Sequence, residues 1–434
     1  MAWAGGVWDG TYGTNISKIA NGVNTYYDKK FLKRAINTLV FAPLGQQRDL
    51  PKGTGKTIEF FRYNNIATSV SGSILTEGTN PVPTAITGQK IQATVSEWGA
   101  FSQHSRLLKA THIDRELAGV AELWGENAGN TVDLIAHMAS VCTGAYPYRC
   151  DGSNTGADAY SYSGVTSGAS TSTTLVSTGL GANTNFGDGT DDCNQSIVVI
   201  TSGTGYGQAR PCTDYAVNTI TVAPAWDVTP ATGDGFVVVS PHGLTTSHLL
   251  TTTNIRNAMV ILRNNKATPF SGGSFVGVLS PQTEASLMAD TNWVTVMSYR
   301  DRPAVKVNGL FAGEVGEWGG VRWIRETQPF RFPIEAVGTA GEAGGPGSFV
   351  PGTAYTNYSA TGAVYANMIL GQESFGTTTF KGNGNIMKPG IITKTPGPGD
   401  TSNPLDMFST VGWYLPYIAK GLNPMFAVQM WSGA

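Results

Sequence analysis

Charged side chains make up only 13% of this 434-residue sequence, whereas about 25% is usual for a soluble globular protein. Its 28 basic and 30 acidic residues nearly cancel, so the chain has neither the basic footprint of a nucleic-acid-binding protein nor a polyacidic tail. A free monomer needs charge to stay apart from its copies. The composition therefore fits either a subunit that buries much of its surface against partners or a β protein with a polar, uncharged surface.

Cysteine is scarce, and long apolar runs are absent from the sequence. Four cysteines are too few and too scattered for a disulfide scaffold, which favours buried free thiols in a reducing compartment: Cys142, Cys150, Cys193 and Cys212. No stretch approaches the ~20 apolar residues of a membrane span. The first residues also lack the basic and apolar regions of a signal peptide. We therefore expect no membrane partner.

The sequence has no motif that indicates catalysis, a cofactor or a metal ion. GTGKT at 53–57 lacks the first glycine of a phosphate-binding loop, because Leu50 stands there, and a predicted strand follows it, so we interpret it as a turn. The HExxH, CxxC and GxSxG patterns are all missing. Asp191 and Asp192 lie in a Gly-rich segment and favour solvated surface over a weak calcium site. We predict no catalytic, cofactor-binding or metal-binding residue and no enzyme activity.

The first hundred residues contain a helical pattern followed by a predicted long hairpin. Apolar residues recur at helical spacing from Tyr27 to Leu39. TIEFFRY (57–63) and KIQATVSEW (90–98) are β-rich, and a polar stretch of more than twenty residues joins them. An isolated hairpin is marginally stable in water, so this one needs a neighbour to lie on. Loops of this length are usually functional.

The strongest helical pattern covers residues 112–142. Its apolar residues recur at spacings of three and four: Leu117, Val120, Trp124, Ala128, Val132, Ile135 and Met138. Further helical patterns occur at 254–264 and after Ser280, which is placed to cap a helix that begins at Pro281.

A β-rich module is predicted between these helices. Gly, Ser, Thr and Asp dominate from Gly144 to Thr245, where the strand candidates are QSIVVIT, NTITVA and GFVVVS, and 151–190 is expected to be an irregular loop. Later strand candidates are FVGVL, VRWIRE, NMILGQESFG and NPMFAVQMW. The fold class is therefore α+β.

Several motifs in order resemble the major capsid proteins of tailed bacteriophages, of a podovirus-type family with the Hong Kong 97-like fold. They are YYDKKFLKRAINTLVFAPLGQQRDLPKGTGKTIEFFRY, ILTEGTNPVP and QATVSEWGAFSQHSRLLKATHIDRELAGVAELWGENAGNTVD in the first half, and FVGVLSPQTEASLMAD, GEVGEWGGVRWIRET and NPLDMFSTVGWYLPYIAKGLNPMFAVQMW in the second. The resemblance covers most of 20–145 and 255–432. It does not cover 145–250, whose segment 202–236 resembles small β modules of phage structural proteins.

The resemblance implies the organisation of the chain. It implies an N-terminal arm (1–48), an extended loop (49–100), a peripheral domain with a spine helix (101–144), an inserted β-rich domain (145–250), and an axial domain with the remainder of the peripheral domain (251–434). Charged residues in or beside the extended loop are candidates for contacts between subunits: Lys52, Lys56, Arg62, Glu77, Lys90 and Glu97.

The function that the resemblance implies is that of a head protein. Copies would form hexamers and pentamers of an icosahedral shell in the virion, assembled in the host bacterial cytoplasm, around double-stranded DNA bound without sequence specificity. Scaffold, portal and decoration proteins are further candidate partners. Two alternatives stay open at this stage. One is a tail or receptor-binding protein that carries a β module, and the other is a carbohydrate-active enzyme, for which we find no motif.

Overall fold

The computed structural model describes residues 40–152, 161–181, 196–293, 314–333, 363–380, 390–394 and 407–433, with gaps at 52, 54, 64–65, 67–73, 76, 81–82, 84–85, 87, 106–115, 242–243, 245, 271 and 328–330. The helices in this part are α1 (Glu116–Thr143), α2 (Thr252–Asn264) and α3 (Pro281–Met288). The strands are β1 (Gln46–Leu50), β2 (Thr57–Tyr63), β3 (Gly88–Thr94), β4 (Ser96–Ser105), β5 (Tyr146–Arg149), β6 (Ser161–Val165), β7 (Thr174–Val176), β8 (Ile197–Ile200), β9 (Ala209–Ala216), β10 (Thr219–Val222), β11 (Gly235–Val239), β12 (Phe275–Leu279), β13 (Glu314–Trp318), β14 (Val321–Arg325), β15 (Arg331–Pro333), β16 (Ala363–Leu370), β17 (Phe375–Phe380), β18 (Gly390–Lys394), β19 (Phe408–Gly421) and β20 (Ala427–Gly433).

The long helix α1 packs on a five-stranded sheet. In this sheet β19 pairs with β4 on one edge and with β17 and β18 on the other, and β1 runs parallel to β17. Ala128, Val132 and Ala136 are buried at spacings of four and let the helix lie close to Trp413 and Leu415 of β19. The predicted stripe is confirmed where it is described, although residues 112–115 and the first helical pattern (27–39) lie outside the described residues.

A seven-stranded sheet with helices α2 and α3 forms the second layer. Its path is β13-β14-β12-β16-β20-β5, with β15 paired to β16. Ile255, Met259 and Leu262 of α2 are buried against this sheet, so the helical spacing predicted at 254–264 is confirmed. The predicted cap is also present, because Ser280 Oγ accepts a hydrogen bond from the amide of Thr283 at 3.2 Å.

The β-rich module is a six-stranded antiparallel sheet with the order β6-β11-β8-β9-β10-β7. Val198 and Ile200 of β8 point into the module's own core, whereas Ile197 and Val199 point the other way, into the core that α1 shares. The module is therefore packed on the rest of the subunit. The irregular loop predicted for 151–190 was wrong in part, because β6 and β7 lie there, and the residues at 153–160 and 182–195 lie outside the described residues.

Two strand predictions in the second half need correction, and one strand was not predicted. NMILGQESFG was predicted as one strand, but Leu370 ends β16 and Phe375 begins β17, with Glu373 in the turn at φ 66°. NPMFAVQMW begins with a 3-10 turn at Pro424–Phe426 before β20. The sequence interpretation missed β19 altogether, although it is 14 residues long and is the strand with which β4, β17 and β18 all pair.

Candidate assembly surfaces

The hairpin of β2 and β3 has one buried face and one exposed face. The strands pair antiparallel from Thr57 with Thr94 to Tyr63 with Gly88, and their side chains alternate between the faces. Ile91 and Ala93 lie on the inner face and are 5% and 4% exposed. The strand prediction for TIEFFRY is confirmed, whereas KIQATVSEW divides between β3 and β4 at Val95.

Exposed apolar side chains are concentrated on the outer face of this hairpin and along its described extension. They are 58–74% exposed, and we call them the hairpin patch: Phe61, Tyr63, Ile66, Ile74, Leu75 and Ile86. The rings of Phe61 and Tyr63 meet edge to face, with centroids 4.9 Å apart. A concentration of exposed apolar side chains of this kind marks an interaction surface.

A second apolar surface lies on the five-stranded sheet, on the face opposite α1. Directly paired residues point to the same face, and the pairing aligns Ile392, Gly412 and Phe101 across three strands. A Cβ at Gly412 would lie 2.6 Å from Phe101 Cβ, so the glycine provides the space that Phe101 occupies. We call the exposed side chains of this face the sheet patch: Phe101, Ile392, Phe408 and Tyr414, which are 39–71% exposed.

The predicted contact residues do not form one cluster. Lys52 lies outside the described residues, and Lys56 and Glu77 are exposed. Lys90 Nζ lies 2.5 Å from Glu59 Oε1, and both side chains are about half exposed. The sequence interpretation missed Glu59, although strand alternation places it on the outer face with Lys90. Hydrogen bonds from Lys90 and Gln92 lower the pKa of the Glu59 carboxyl.

Glu97 and Arg62 have different surroundings from the other predicted contact residues. Glu97 is exposed beside the sheet patch, where burial first and then the neighbouring Glu97 carboxylate raise the pKa of Tyr414. Arg62 is half-buried on the inner side of the hairpin. Its guanidinium donates hydrogen bonds to the carbonyl oxygen of Tyr206, to Leu422 O at 3.2 Å and to Gln89 Oε1 at 3.1 Å. Contacts between subunits remain a prediction for all six residues.

One buried ion pair and one hydrogen bond from a buried arginine connect the module to the other two sheets. Arg210 of β9 donates to Asp227 Oδ2 at 2.8 Å, and Lys420 of β19 lies 3.0 Å from Asp227 Oδ1. Arg149 of β5 pairs with Asp151 at 2.5 Å and donates to the carbonyl oxygen of Ser240 at the end of β11. These charges are desolvated, so they hold the module in one orientation only while every partner is present.

The other sites considered in the sequence have ordinary structural roles where the structure describes them. Gly53 and Gly55 have φ values of 88° and 94° and precede β2, so the described residues before this strand turn as predicted. Cys142, Cys150 and Cys212 are free and buried, as predicted, whereas Cys193 lies outside the described residues, as do Asp191 and Asp192. Within the described chain, no three His, Cys, Asp or Glu side chains converge as metal ligands. None of the described helices is long and apolar enough to cross a membrane.

Comparisons with known proteins identify this architecture. A sequence model of the phage capsid protein family matches residues 245–378, which include α2, α3 and the strands of the seven-stranded sheet from β12 to β16. No curated protein sequence matches the chain. Many solved structures match it in fold over nearly its whole length.

Three of these structures illustrate the likeness. The capsid of Ralstonia phage GP4 has a TM-score of 0.50 at 13% identity, over 95% of both chains. The capsid of cyanophage Pam1 has 0.51 at 13% identity, over 95% of this chain and 97% of that one. The capsid of Helicobacter pylori bacteriophage KHP30 has 0.52 at 10% identity, over 97% and 98%. The chain therefore has the α+β fold of phage capsid proteins, and the resemblance noted in its sequence is confirmed.

Proposed function

We propose that this chain is the major capsid protein of a bacteriophage, and that its copies assemble into the icosahedral shell of the phage head. The observation that carries the proposal is the agreement of two different likenesses. A phage capsid family model matches 245–378 by sequence, and phage capsid structures match nearly the whole chain by fold. Both likenesses are to structural proteins, which favours a structural function over an enzymatic one.

Assembly in this proposal joins the hairpin patch of one copy to the sheet patch of a second copy. Both surfaces are apolar and exposed, and a hairpin that extends from its subunit cannot bury its outer face by itself. The low charge of the chain adds support, because 13% charged residues leave little to keep copies apart. The charged residues around the hairpin, including Lys90 and Glu97, would then form the polar rim of the contact.

The geometry of that contact favours closed rings. The two patches differ, so each copy uses one patch on one neighbour and the other patch on the next. Head-to-tail contacts of this kind close into rings when the rotation between neighbours permits it. Hexamers and pentamers of an icosahedral lattice are such rings. The contact is repeated around every ring, and therefore a modest gain in each interface sums over the whole shell.

Packaged double-stranded DNA is the proposed content of the shell, and one surface favours contact with it. No Asp or Glu occurs from Gly235 to Thr283, a stretch that contains α2. Arg256 and Arg263 are exposed and seven residues apart, so they lie on the same face of α2, and Lys266 follows the helix. Three cations without an acidic neighbour in sequence suit phosphate contacts that do not depend on base sequence.

The remaining assignments belong to the same proposal. The chain would be located in the virion after assembly in the host bacterial cytoplasm, and scaffold, portal and decoration proteins would be its other partners. Residues 1–48 would form the arm, 49–100 the extended loop, 101–144 and part of 251–434 the peripheral domain, and most of 251–434 the axial domain. The inserted module (145–250) would face the outside of the shell or bridge subunits there.

The direct test is to express the full chain alone and to image the product by negative-stain electron microscopy. Shells, tubes or ring-shaped capsomers support the proposal. If only monomers form, the chain is expressed together with the neighbouring structural genes of the phage, and continued failure to assemble contradicts it. Deletion of 70–84, which removes Ile74 and Leu75 of the hairpin patch, should leave a soluble subunit that forms no shells. Normal shells from this deletion exclude the proposed role of the hairpin.

A further inference from the structure

Three separate parts of the subunit meet at one side chain, that of Arg62 near the end of β2. Its guanidinium donates to Gln89 Oε1 on the opposite strand of the hairpin and to Leu422 O, which follows β19 in the body of the subunit, by which we mean the five- and seven-stranded sheets with their helices. It also donates to the carbonyl oxygen of Tyr206 in the inserted module. These acceptors are 27, 360 and 144 residues away in sequence.

The module is shaped to receive this guanidinium. The guanidinium carbon of Arg62 lies 5.8 Å from the centre of the Tyr206 ring, within the range of a cation–π contact. The next residue, Gly207, has φ 75°. A Cβ at this position would lie 2.6 Å and 2.9 Å from the two terminal nitrogens of Arg62. Glycine is therefore needed at 207 both for the backbone conformation and for the space that Arg62 fills.

The acceptors of Arg62 are neutral, which distinguishes it from the other buried cations of this region. Arg210 and Lys420 share the carboxylate of Asp227, whereas the hydrogen bonds of Arg62 go to two carbonyl oxygens and one amide oxygen. Burial lowers the pKa of Arg62. A desolvated guanidinium depends on all of its acceptors, so these bonds can hold together only in one arrangement of the three parts.

We propose that Arg62 is a positioning residue that holds the paired strands of the hairpin on the inserted module near the point where β2 ends and β3 begins, so that the module sets the direction of the hairpin. The module itself is fixed on the five-stranded sheet and α1 by the ion pair of Asp227 with Lys420 and by the shared core around Ile197 and Val199. The module therefore contacts both the body and the hairpin, and holds the hairpin in one direction relative to the body. For Arg62 we expect this role within the subunit instead of the contact between subunits predicted from the sequence.

The consequence for assembly rests on the proposed function. A hairpin with a fixed direction reaches its neighbour at one angle, which selects one curvature of the shell. A hairpin that is not held at Arg62 reaches the same neighbour at several angles, and would yield shells of mixed size, tubes or open sheets. The local consequence is independent of assembly, because the contact at Arg62 lies within one subunit.

The test compares hydrogen–deuterium exchange in unassembled full-length subunits of the wild type and Arg62→Met. We expect amide exchange in β2 and β3 to rise about tenfold or more, whereas exchange in β8 and in α1 stays at the wild-type rate. Gly207→Ala should produce the same change from the module side, since its Cβ displaces the guanidinium. Lys90→Met is the matched control, because it removes an exposed cation of the same hairpin and should raise exchange by no more than about fivefold.

Two outcomes overturn the inference. One is wild-type exchange in the hairpin of Arg62→Met. The other is an equal rise of amide exchange in the hairpin, the module and α1, which indicates a general loss of stability rather than loss of the contact at Arg62. Should Arg62→Met not fold, Arg62→Lys provides the same comparison with a smaller change, because it keeps the positive charge but loses the planar set of donors. The assembled products are then imaged to test the proposed function. Failure of the proposed function is distinguishable from failure of this inference, because the exchange experiment uses unassembled subunits and gives its result even if the wild-type chain never assembles.

Discussion

The ring of Phe41 lies flat on the ring of His137, with centroids 3.9 Å apart and planes 8° apart. One helical turn earlier, Asp133 accepts a hydrogen bond from the amide of Ala42 at 2.8 Å. These two contacts join the segment that leads into β1 to the middle of α1. Burial lowers the pKa of His137 to about 3, because the charged ring cannot be hydrated there.

This burial predicts a dependence of stability on pH. The folded pKa of His137 is depressed below the unfolded value of about 6.5, so its contribution is complete above pH 6.5 and is lost as the pH falls toward 3. His137→Phe keeps a flat ring on Phe41 and removes the titration. Between pH 7 and pH 5 the wild type should lose up to about 2 kcal/mol more of its free energy of unfolding than the variant.

The measurement is urea denaturation of the subunit at several pH values. His248→Gln leaves His137 in place and should retain the wild-type drop. Burial is the main cause of the raised pKa of Asp133, which makes the free energy of unfolding increase as the pH falls. This effect is present in the wild type and in His137→Phe, so it cancels when the two are compared. Equal slopes in the wild type and His137→Phe contradict the prediction.

Exposed apolar side chains should affect assembly without affecting the stability of the subunit. Phe101→Ser and Ile392→Ser change the sheet patch, and Phe61→Ser changes the hairpin patch. Each should raise the critical concentration for assembly about tenfold or more, as expected when a buried interface side chain is truncated. The free energy of unfolding of the subunit should change by no more than about 0.5 kcal/mol, since these side chains are exposed in the free chain.

Light scattering over a range of subunit concentrations gives the critical concentration directly. Val260→Ser on α2 is the matched control, because Val260 is 53% exposed but lies outside both patches. It should assemble at the wild-type concentration. An unchanged critical concentration in Phe101→Ser and Ile392→Ser excludes the sheet patch as the surface that receives the hairpin.

The cysteines of the native chain should react slowly with alkylating reagents. Burial raises the pKa of the Cys142 and Cys150 thiols, and only the thiolate is nucleophilic. Cys212 is 2% exposed, and its thiol donates to Asp214 O at 3.3 Å. Site-resolved mass spectrometry after treatment with iodoacetamide should show little label at these three positions until denaturant is added. Rapid labelling of Cys142 at pH 8 in the folded chain contradicts this.

The sequence predicted elements well where periodicity alone decides them. The spacing in α1 and α2, the β-branched run FVGVL and the Ser280–Pro281 cap each depend on neighbours in sequence, and each was confirmed. The strand β19 was missed because Pro416 argues against a central strand. The carbonyl oxygen of Pro416 accepts a hydrogen bond from Thr379 Oγ1 of β17, so the nitrogen of Pro416 faces the same edge of β19. On this edge the pairing with β17 ends at Ile418 and the pairing with β18 begins at Tyr414, which leaves Pro416 between them. The proline therefore removes no ladder hydrogen bond.

The surroundings of Arg62 and the sheet patch were predicted less completely, because they are formed by residues that are distant in sequence. Strand alternation in TIEFFRY already places Arg62 on the same face as Ile58 and Phe60, which is the inner face. The sequence could have indicated a buried guanidinium from this alternation. It could not indicate the acceptors, because Tyr206 and Leu422 reach Arg62 only through the packing of the module and the body. The apolar sheet patch likewise arises from three strands that are distant in sequence.

The ion pairs of Asp227 should be among the most sensitive points of the module. Asp227→Ala leaves Arg210, which is 2% exposed, and Lys420, which is 17% exposed, without their shared carboxylate. Removal of one partner of a buried ion pair destabilises a protein by about 3–5 kcal/mol, whereas Lys90→Met, at the exposed pair with Glu59, should cost no more than about 1 kcal/mol. Burial and the neighbouring Arg210 lower the pKa of Lys420, and Asp227 opposes this. Addition of Lys420→Met to Asp227→Ala should therefore recover part of the loss in urea denaturation, because one unpaired buried cation is removed. A double variant that is as unstable as the sum of both single variants would show that Lys420 and Asp227 do not stabilise each other.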